Sequence, residues 1–329
     1  MKKISAAQLA SYVSLAVSLI VLGLKVKAYF ATNSSTVLSD ALETVVNVVT
    51  AVVALYAVKV ASEPADLEHP YGHGKMEYFS AAFEGGLVFF ASLAILYNGV
   101  MALISNAEIA NYETGFYYSF VATVFNLITG LYLVRVGTKE KSEALKASGK
   151  HVLSDVVTTL SVFISLGLVY FTKLYWIDAV ISILMGFWLG YESYKIIRTN
   201  SGALLDEADV KLLDMLSIVI EKNRMPEIID IHNLRMIRSG NFHHIDAHMV
   251  VPEFYDIKTV HELSHEFELA VVKEYEFDGE FAFHVDPCQK MYCSVCAVEK
   301  CIIRKSAFKN LKKLTSHHMI SGPKYSETE

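Results

Sequence analysis

The stretch His151-Val152-Leu153-Ser154-Asp155 decides how the rest of the chain is read. A His and an Asp four residues apart lie one turn apart on the same face of an α-helix. The helix runs on through Val156 to Ile164 and Leu166 to Phe171, apolar and long enough to span a bilayer. An ionisable pair at membrane depth is costly, so it faces a partner or a water-filled pathway and marks function. The competing reading is a pair near the helix end that snorkels to the interface. It is disfavoured because both side chains are short.

Composition agrees. The 329 residues are 53% hydrophobic and 19% charged, against about 25% charged in soluble domains, so at least part of the protein is a membrane protein. A net charge of -6 without a basic patch excludes nucleic acid as a partner. The opening Met1-Lys2-Lys3-Ile4-Ser5 precedes a long apolar run with no clear small-residue cleavage site, and is read as the start of a retained helix. Six spans follow, at about residues 9–31, 37–61, 79–104, 116–136, 152–172 and 174–197. The last two form a hairpin about Thr172-Lys173. Lys2, Lys3, Lys75, Arg135, Lys139, Lys141, Lys146, Lys150, Lys195 and Arg198 gather on one side, while the loops at 32–36 and 105–114 contain no Lys or Arg. By the positive-inside rule both termini are cytoplasmic, with Lys25 and Lys27 as exceptions.

From about Asp206 the pattern becomes α-β-β-α-β. Leu212–Ile220 and Val260–Tyr275 are helical in period. Ile228–Ile231, Leu234–Ile237, His244–Val251 and Glu280–Val285 read as strand material. The expected fold is a membrane all-α six-helix domain (1–205), then a small cytoplasmic α+β domain with helices on a three-stranded sheet (206–288). Residues 289–329 would form a cysteine-containing basic tail, partly disordered.

Span two contributes Asp40, Glu43 and Asn47, the last two at the spacing of His151 and Asp155. Helices meeting at these faces offer Glu43, Asn47, His151 and Asp155 as ligands for one divalent cation, a set suited to zinc, iron(II) or manganese. Asp40 is a ligand, an entrance-side charge, or, with Ser39, a helix cap. In the next loop Asp66, His69 and His73 can converge on a metal at a turn bent by Pro70, Gly72 and Gly74; the competing reading is a polar loop with incidental histidines. In the polar domain His284 and Asp286 fall on one side of a strand, where His232, His248 and His261 can join them. Each taken singly also reads as an ordinary half-buried or surface histidine. Cys288-x4-Cys293-x2-Cys296-x4-Cys301 permits a thiolate zinc site, an iron–sulfur cluster, or unliganded reduced thiols. Arg304, Lys305, Lys309, Lys312 and Lys313 read as a solvated helix face or a contact for anionic lipid.

Together these residues resemble the cation diffusion facilitator family of divalent-metal/proton antiporters. The resemblance spans residues 5–288. It rests on Ser39-Asp40-Ala41, Pro64-Ala65-Asp66…His69-Pro70-Tyr71-Gly72-His73-Gly74-Lys75, His151-x3-Asp155 and His284-x-Asp286-Pro287. It implies a six-helix efflux transporter, usually a homodimer, with a metallochaperone-like cytoplasmic domain in the cell's inner or plasma membrane. By position it implies a transport site at Glu43, Asn47, His151 and Asp155 and a loop site at Asp66, His69 and His73. A binuclear site would draw on His232, His248, His261, His284 and Asp286, and Lys75 and Asp206 would form charge interlocks at the dimer junction. The family's span-two pair is usually Asp or His followed by Asp, so Glu43 and Asn47 depart from it by one formal negative charge. The mechanism read from these residues is alternating access, with His151 carrying the exchanged proton because its reference pKa lies nearest physiological pH. A non-transporting metal sensor or membrane scaffold is the alternative. An intramembrane metalloenzyme finds no support in an HExxH-type helix or a nucleophile, so the chain is not read as an enzyme.

Overall fold

The computed structural model describes residues 6–32, 34–105 and 111–321. The chain divides into two compact units, Met1–Leu205 and Asp206–Glu329.

The first unit holds α1 (Ala6–Thr32), α2 (Ser35–Ala61), α3 (Lys75–Ser105), α4 (Tyr112–Lys139), α5 (Glu143–Thr172) and α6 (Trp176–Leu204). Five of them, α1 to α5, are long and apolar enough to cross a membrane. At 29 residues α6 equals them in length, but Asp178, Glu192 and its Tyr, Trp and Gly residues make it less apolar. The usual inside-out pattern is inverted. Phe30, Phe90, Phe171, Leu184 and Phe187 face outward, while Ser11, Ser14, Thr44, Thr50 and Ser193 are buried. Hydrocarbon gives apolar side chains no reason to turn inward, so close packing of small residues and polar contacts hold the helices together. At Gly149 an added Cβ would lie 2.7 Å from the backbone nitrogen of Val134, which is how tightly α5 meets α4. At Gly186 it would lie 2.8 Å from Leu96, the corresponding contact of α6 with α3.

Helix ends correct two readings. The cap of α2 is Ser34, whose hydroxyl accepts from the Val37 N–H; Ser39 and Asp40 lie inside the helix. Ser142 caps α5 in the same way, so the helix starts at Glu143, well before the apolar span expected at 152–172. His151 therefore sits two turns inside a continuous helix, well away from its end. Lys173, in the left-handed region at φ 57°, closes α5 and allows the tight return into α6. Lys2 and Lys3, used above to orient the chain, lie outside the described residues.

The second unit runs α7 (Val210–Asn223), β1 (Asp230–Ser239), β2 (Phe242–Val251), α8 (Ile257–Glu274), β3 (Asp278–Pro287). Asp209 and Asp256 cap the two helices. The sheet order is β1-β2-β3, with β1 and β2 antiparallel and β2 and β3 parallel. Leu213, Leu216 and Ile220 of α7 and Phe267 and Val271 of α8 join Ile231, Ile245 and Met249 in one buried core. The segments Ile228–Ile231 and Leu234–Ile237 belong largely to one strand. A register shift between His232 and Arg235, with Asn233 at φ 51°, breaks the alternation that a sequence reading depends on.

The residues after Pro287 are not the loose appendage expected. Tyr292 of a short 3-10 turn at Lys290–Ser294, and Cys296 just beyond it, pack on Ile229 and Val250. Further on, Leu314 and Met319 enter the main core, with Met319 carried by α9 (Ser316–Ser321). The basic run at 304–313 is irregular backbone, so it has no helix face. The end of the tail, 322–329, lies outside the described residues.

Candidate metal centres

In the first unit, α2 and α5 bring Glu43, Asn47, His151 and Asp155 together, all buried. The Asn47 amide stands between the other two polar heads: its Oδ1 contacts His151 Nε2 and its Nδ2 donates to Asp155 Oδ2. Thr158 Oγ1 contacts Glu43 Oε2 at 3.3 Å. Glu43 Oε1 and Asp155 Oδ1 are buried with no hydrogen-bond partner. Two carboxylates with spare lone pairs, an amide oxygen and an imidazole make a chemically coherent cradle for a dication. A small cleft lined by Thr36, Asp40, Glu43, Thr158 and Ser182 reaches this cradle from the end of the bundle where α2 and α6 begin.

Asp40 is held elsewhere. Lys25 Nζ of α1 donates to its Oδ1 at 2.7 Å, both side chains being almost completely buried, and Thr159 Oγ1 donates to the same oxygen at 3.0 Å. Lys25, which sequence treated only as an orientation exception, is thus the counter-ion beside the site. Its signal was its misplacement: a Lys deep in an apolar span needs a buried anion. Three more buried acids of the first unit went unnoticed among the described residues, and Glu77 of α3 accepts from Ser142 at 3.0 Å. Glu84 of α3 accepts from Ser148 at 3.1 Å, one turn from His151. Asp178 of α6 accepts from Ser165 at 2.6 Å and from Thr36.

The loop between α2 and α3 draws Asp66, His69 and His73 together, with donor atoms mutually within 4.8 Å. Asp66 Oδ1 accepts the N–H groups of His69 at 2.6 Å and Glu68 at 2.9 Å. Those N–H donors hold its carboxyl below the usual carboxylate range. The turn therefore orients Asp66 by its own backbone, and the two imidazole rings lie 4.4 Å apart beside it.

In the second unit the bulge of β1 and the ends of β2 and β3 bring His232, His248 and Asp286 within 4.8 Å. Asp286 Oδ2 contacts His248 Nδ1 at 2.9 Å and faces His232 Nε2 at 3.5 Å. His284 stands at the margin, largely exposed, with Nε2 3.5 Å from Asp286 Oδ1. His261 is not among them: it is exposed on α8, its ring stacked on His265. Position on a helix across the sheet core, which spacing cannot reveal, keeps it out. Burial depresses the His232 pKa, which keeps the imidazole neutral as a ligand must be. Behind it lies a group the sequence did not suggest. Asp230 faces His232 Nδ1 at 3.7 Å and takes contacts from Tyr292 and His318 of the tail, the latter at 2.6 Å. Asp230 thus lies on the Nδ1 side of the His232 ring and Asp286 on its Nε2 side. Lys75 opens α3, and Asp206, at φ 58°, opens the second unit.

Comparison with known proteins places this arrangement. Residues 11–205 match the cation efflux transmembrane domain, and residues 217–288 match the cytoplasmic domain of cation efflux proteins. An uncharacterized transporter of Synechocystis is 31% identical over 280 residues, covering 84% of this chain and 89% of that protein. The cation-efflux pump FieF of Shewanella oneidensis is 25% identical over 86% of this chain and 94% of the pump. Its namesake in Yersinia pestis is 27% identical over 83% and 90%. The matched domains together take in the five helices long and apolar enough to cross a membrane, α6 and the three-stranded sheet, and the chain belongs to the cation diffusion facilitator family, whose members are membrane transporters that export metal cations.

Proposed function

We propose that this chain exports a divalent transition metal, zinc, iron(II) or manganese, in exchange for protons. The carrying observation is that Glu43, Asn47, His151 and Asp155 meet at one level of the bundle with two carboxylate oxygens lacking partners. A dication balances the two negative charges of Glu43 and Asp155, which are otherwise costly to bury together. To ligate through Nε2, His151 must give up its contact with Asn47 and present a lone pair there, so a protonated imidazole must release its proton before the metal binds. Metal arrival and proton loss are therefore linked at one atom. On the far side the exchange reverses: a proton returns to His151, the amide bridge re-forms, and the metal leaves. The cleft at the starts of α2 and α6 would be the exit path, and rocking of the helices would open the opposite end.

His232, His248, His284 and Asp286 would hold a regulatory metal, which supplies a cross-link between strand ends when bound. The chain works as a homodimer on this reading, with Lys75 and Asp206 at the junction. Both termini face the cytoplasm, in an inner or plasma membrane. The loop residues Asp66, His69 and His73 would take a metal at the membrane margin.

The test is metal uptake into proteoliposomes for zinc, iron(II), manganese and cobalt, with and without a pH gradient. Flux of one metal that follows the gradient supports the reading. Binding by the second unit with no flux of any metal would favour a sensor.

A further inference from the structure

We propose that Cys288, Cys293, Cys296 and Cys301 hold an iron–sulfur cluster in the second unit. Three of them lie beyond the matched cytoplasmic domain, which ends at residue 288. All four nevertheless line one open cavity of about 1010 Å³.

Their backbones are fixed by specific bonds. The Cys288 N–H donates to Val251 O at 2.8 Å, tying the first cysteine to the end of β2. Arg304 donates to the carbonyls of Cys293 at 2.9 Å, Cys296 at 3.1 Å and Val298 at 2.6 Å. One guanidinium thus shapes the loop that carries the two central cysteines. A tail that only needed to pack small apolar thiols would not require such a clamp, nor leave a cavity in front of them.

A single zinc ion with Zn–S bonds of about 2.3 Å draws its four sulfurs to roughly 3.8 Å from one another. Among the described residues no three of these sulfurs gather within 4.8 Å, although groups of His and Asp do. A polynuclear cluster separates the cysteines bound to different irons by its iron and sulfide core, so it accepts a wider set of thiols than a single ion does. The order Cys288-x4-Cys293-x2-Cys296 is also the spacing of the first three ligands in plant-type ferredoxins.

The surroundings suit an anionic cluster. The Lys305 N–H donates to Cys293 Sγ at 3.4 Å, and Lys290, Arg304 and Lys305 outnumber Glu253 and Asp286 in the lining of the same cavity. Donors to sulfur and nearby cations are what set the potential of such centres. His232, His248 and Asp286 border the cavity too, so loading the cluster alters the field at that metal group.

The full-length chain, expressed with ample iron and purified without oxygen in detergent, is assayed for iron, acid-labile sulfide, visible absorption and electron paramagnetic resonance. The expected result is iron and sulfide in matching amounts, with charge-transfer absorption that dithionite bleaches. Cys288→Ser and Cys301→Ser, both at partly exposed positions, should lose the cluster while eluting and unfolding as the wild type does. Asp155→Ala should keep it. The wild-type iron and sulfide content decides the matter even if the variants misfold. Zinc without sulfide, or four thiols that react freely before and after reconstitution with iron(II) and sulfide, would overturn the proposal.

Discussion

Replacing Lys25 by Met isolates what the buried pair with Asp40 does. The ammonium and carboxylate are 2.7 Å apart with side-chain exposures of 0% and 2%. Removing one partner of such a pair typically costs 3–5 kcal/mol, roughly, because the other charge is left buried. Thr159 donates to Asp40 with or without Lys25, so that bond cancels from the difference. The expected loss is therefore about 3–5 kcal/mol. In Lys25→Met/Asp40→Asn no charge remains, and most of the loss should be recovered. Reversible unfolding of wild type, both single variants and the double variant in one detergent gives the coupling energy directly. A Lys25→Met cost below about 1 kcal/mol, additive with that of Asp40→Asn, would refute the reasoning.

Gly149→Ala should destabilise by about 1–3 kcal/mol and depress flux, since its methyl meets the backbone of α4 two residues before His151. Gly167→Ala, on the same helix with nothing within 4 Å, should be neutral or slightly stabilising in the same unfolding assay. Asn47→Asp replaces the amide bridge with a third carboxylate. Metal should then bind at least about tenfold tighter and raise the unfolding temperature more, as competition with a fluorescent chelator and thermal scans would show; unchanged affinity would count against Asn47 as a ligand. Burial raises the Tyr275 pKa above its ordinary value, and its hydroxyl contacts His243 Nδ1 at 2.8 Å. A folded pKa above the unfolded one means stability is complete below pH about 10 and falls as pH rises beyond it. Tyr275→Phe should therefore shift the alkaline unfolding midpoint of the full chain upward.

The six-helix plan and its central face were legible because helical period turns spacing into geometry: residues four apart must share a face. Sequence showed that Glu43, Asn47, His151 and Asp155 were available to one another, but not that Asn47 stands between His151 and Asp155. Lys25 was visible and misread, since its partner lies on another helix and no local pattern links them. The same cause hid the order of the tail. Leu314 N donates to Glu221 Oε2 at 3.0 Å and His318 meets Asp230, contacts with residues about ninety positions away. A basic, cysteine-bearing composition carries no trace of them. His261 was grouped with the other histidines by residue type and by the family resemblance, and only tertiary placement separates α8 from the strand ends within one chain.

The central claim rests most directly on gradient-coupled metal flux in proteoliposomes, wild type against Asp155→Ala. The account predicts uptake of a divalent metal that rises with the opposing proton gradient and disappears in the variant, while the variant still folds. Equal flux in the two proteins, or flux indifferent to the gradient, would contradict it.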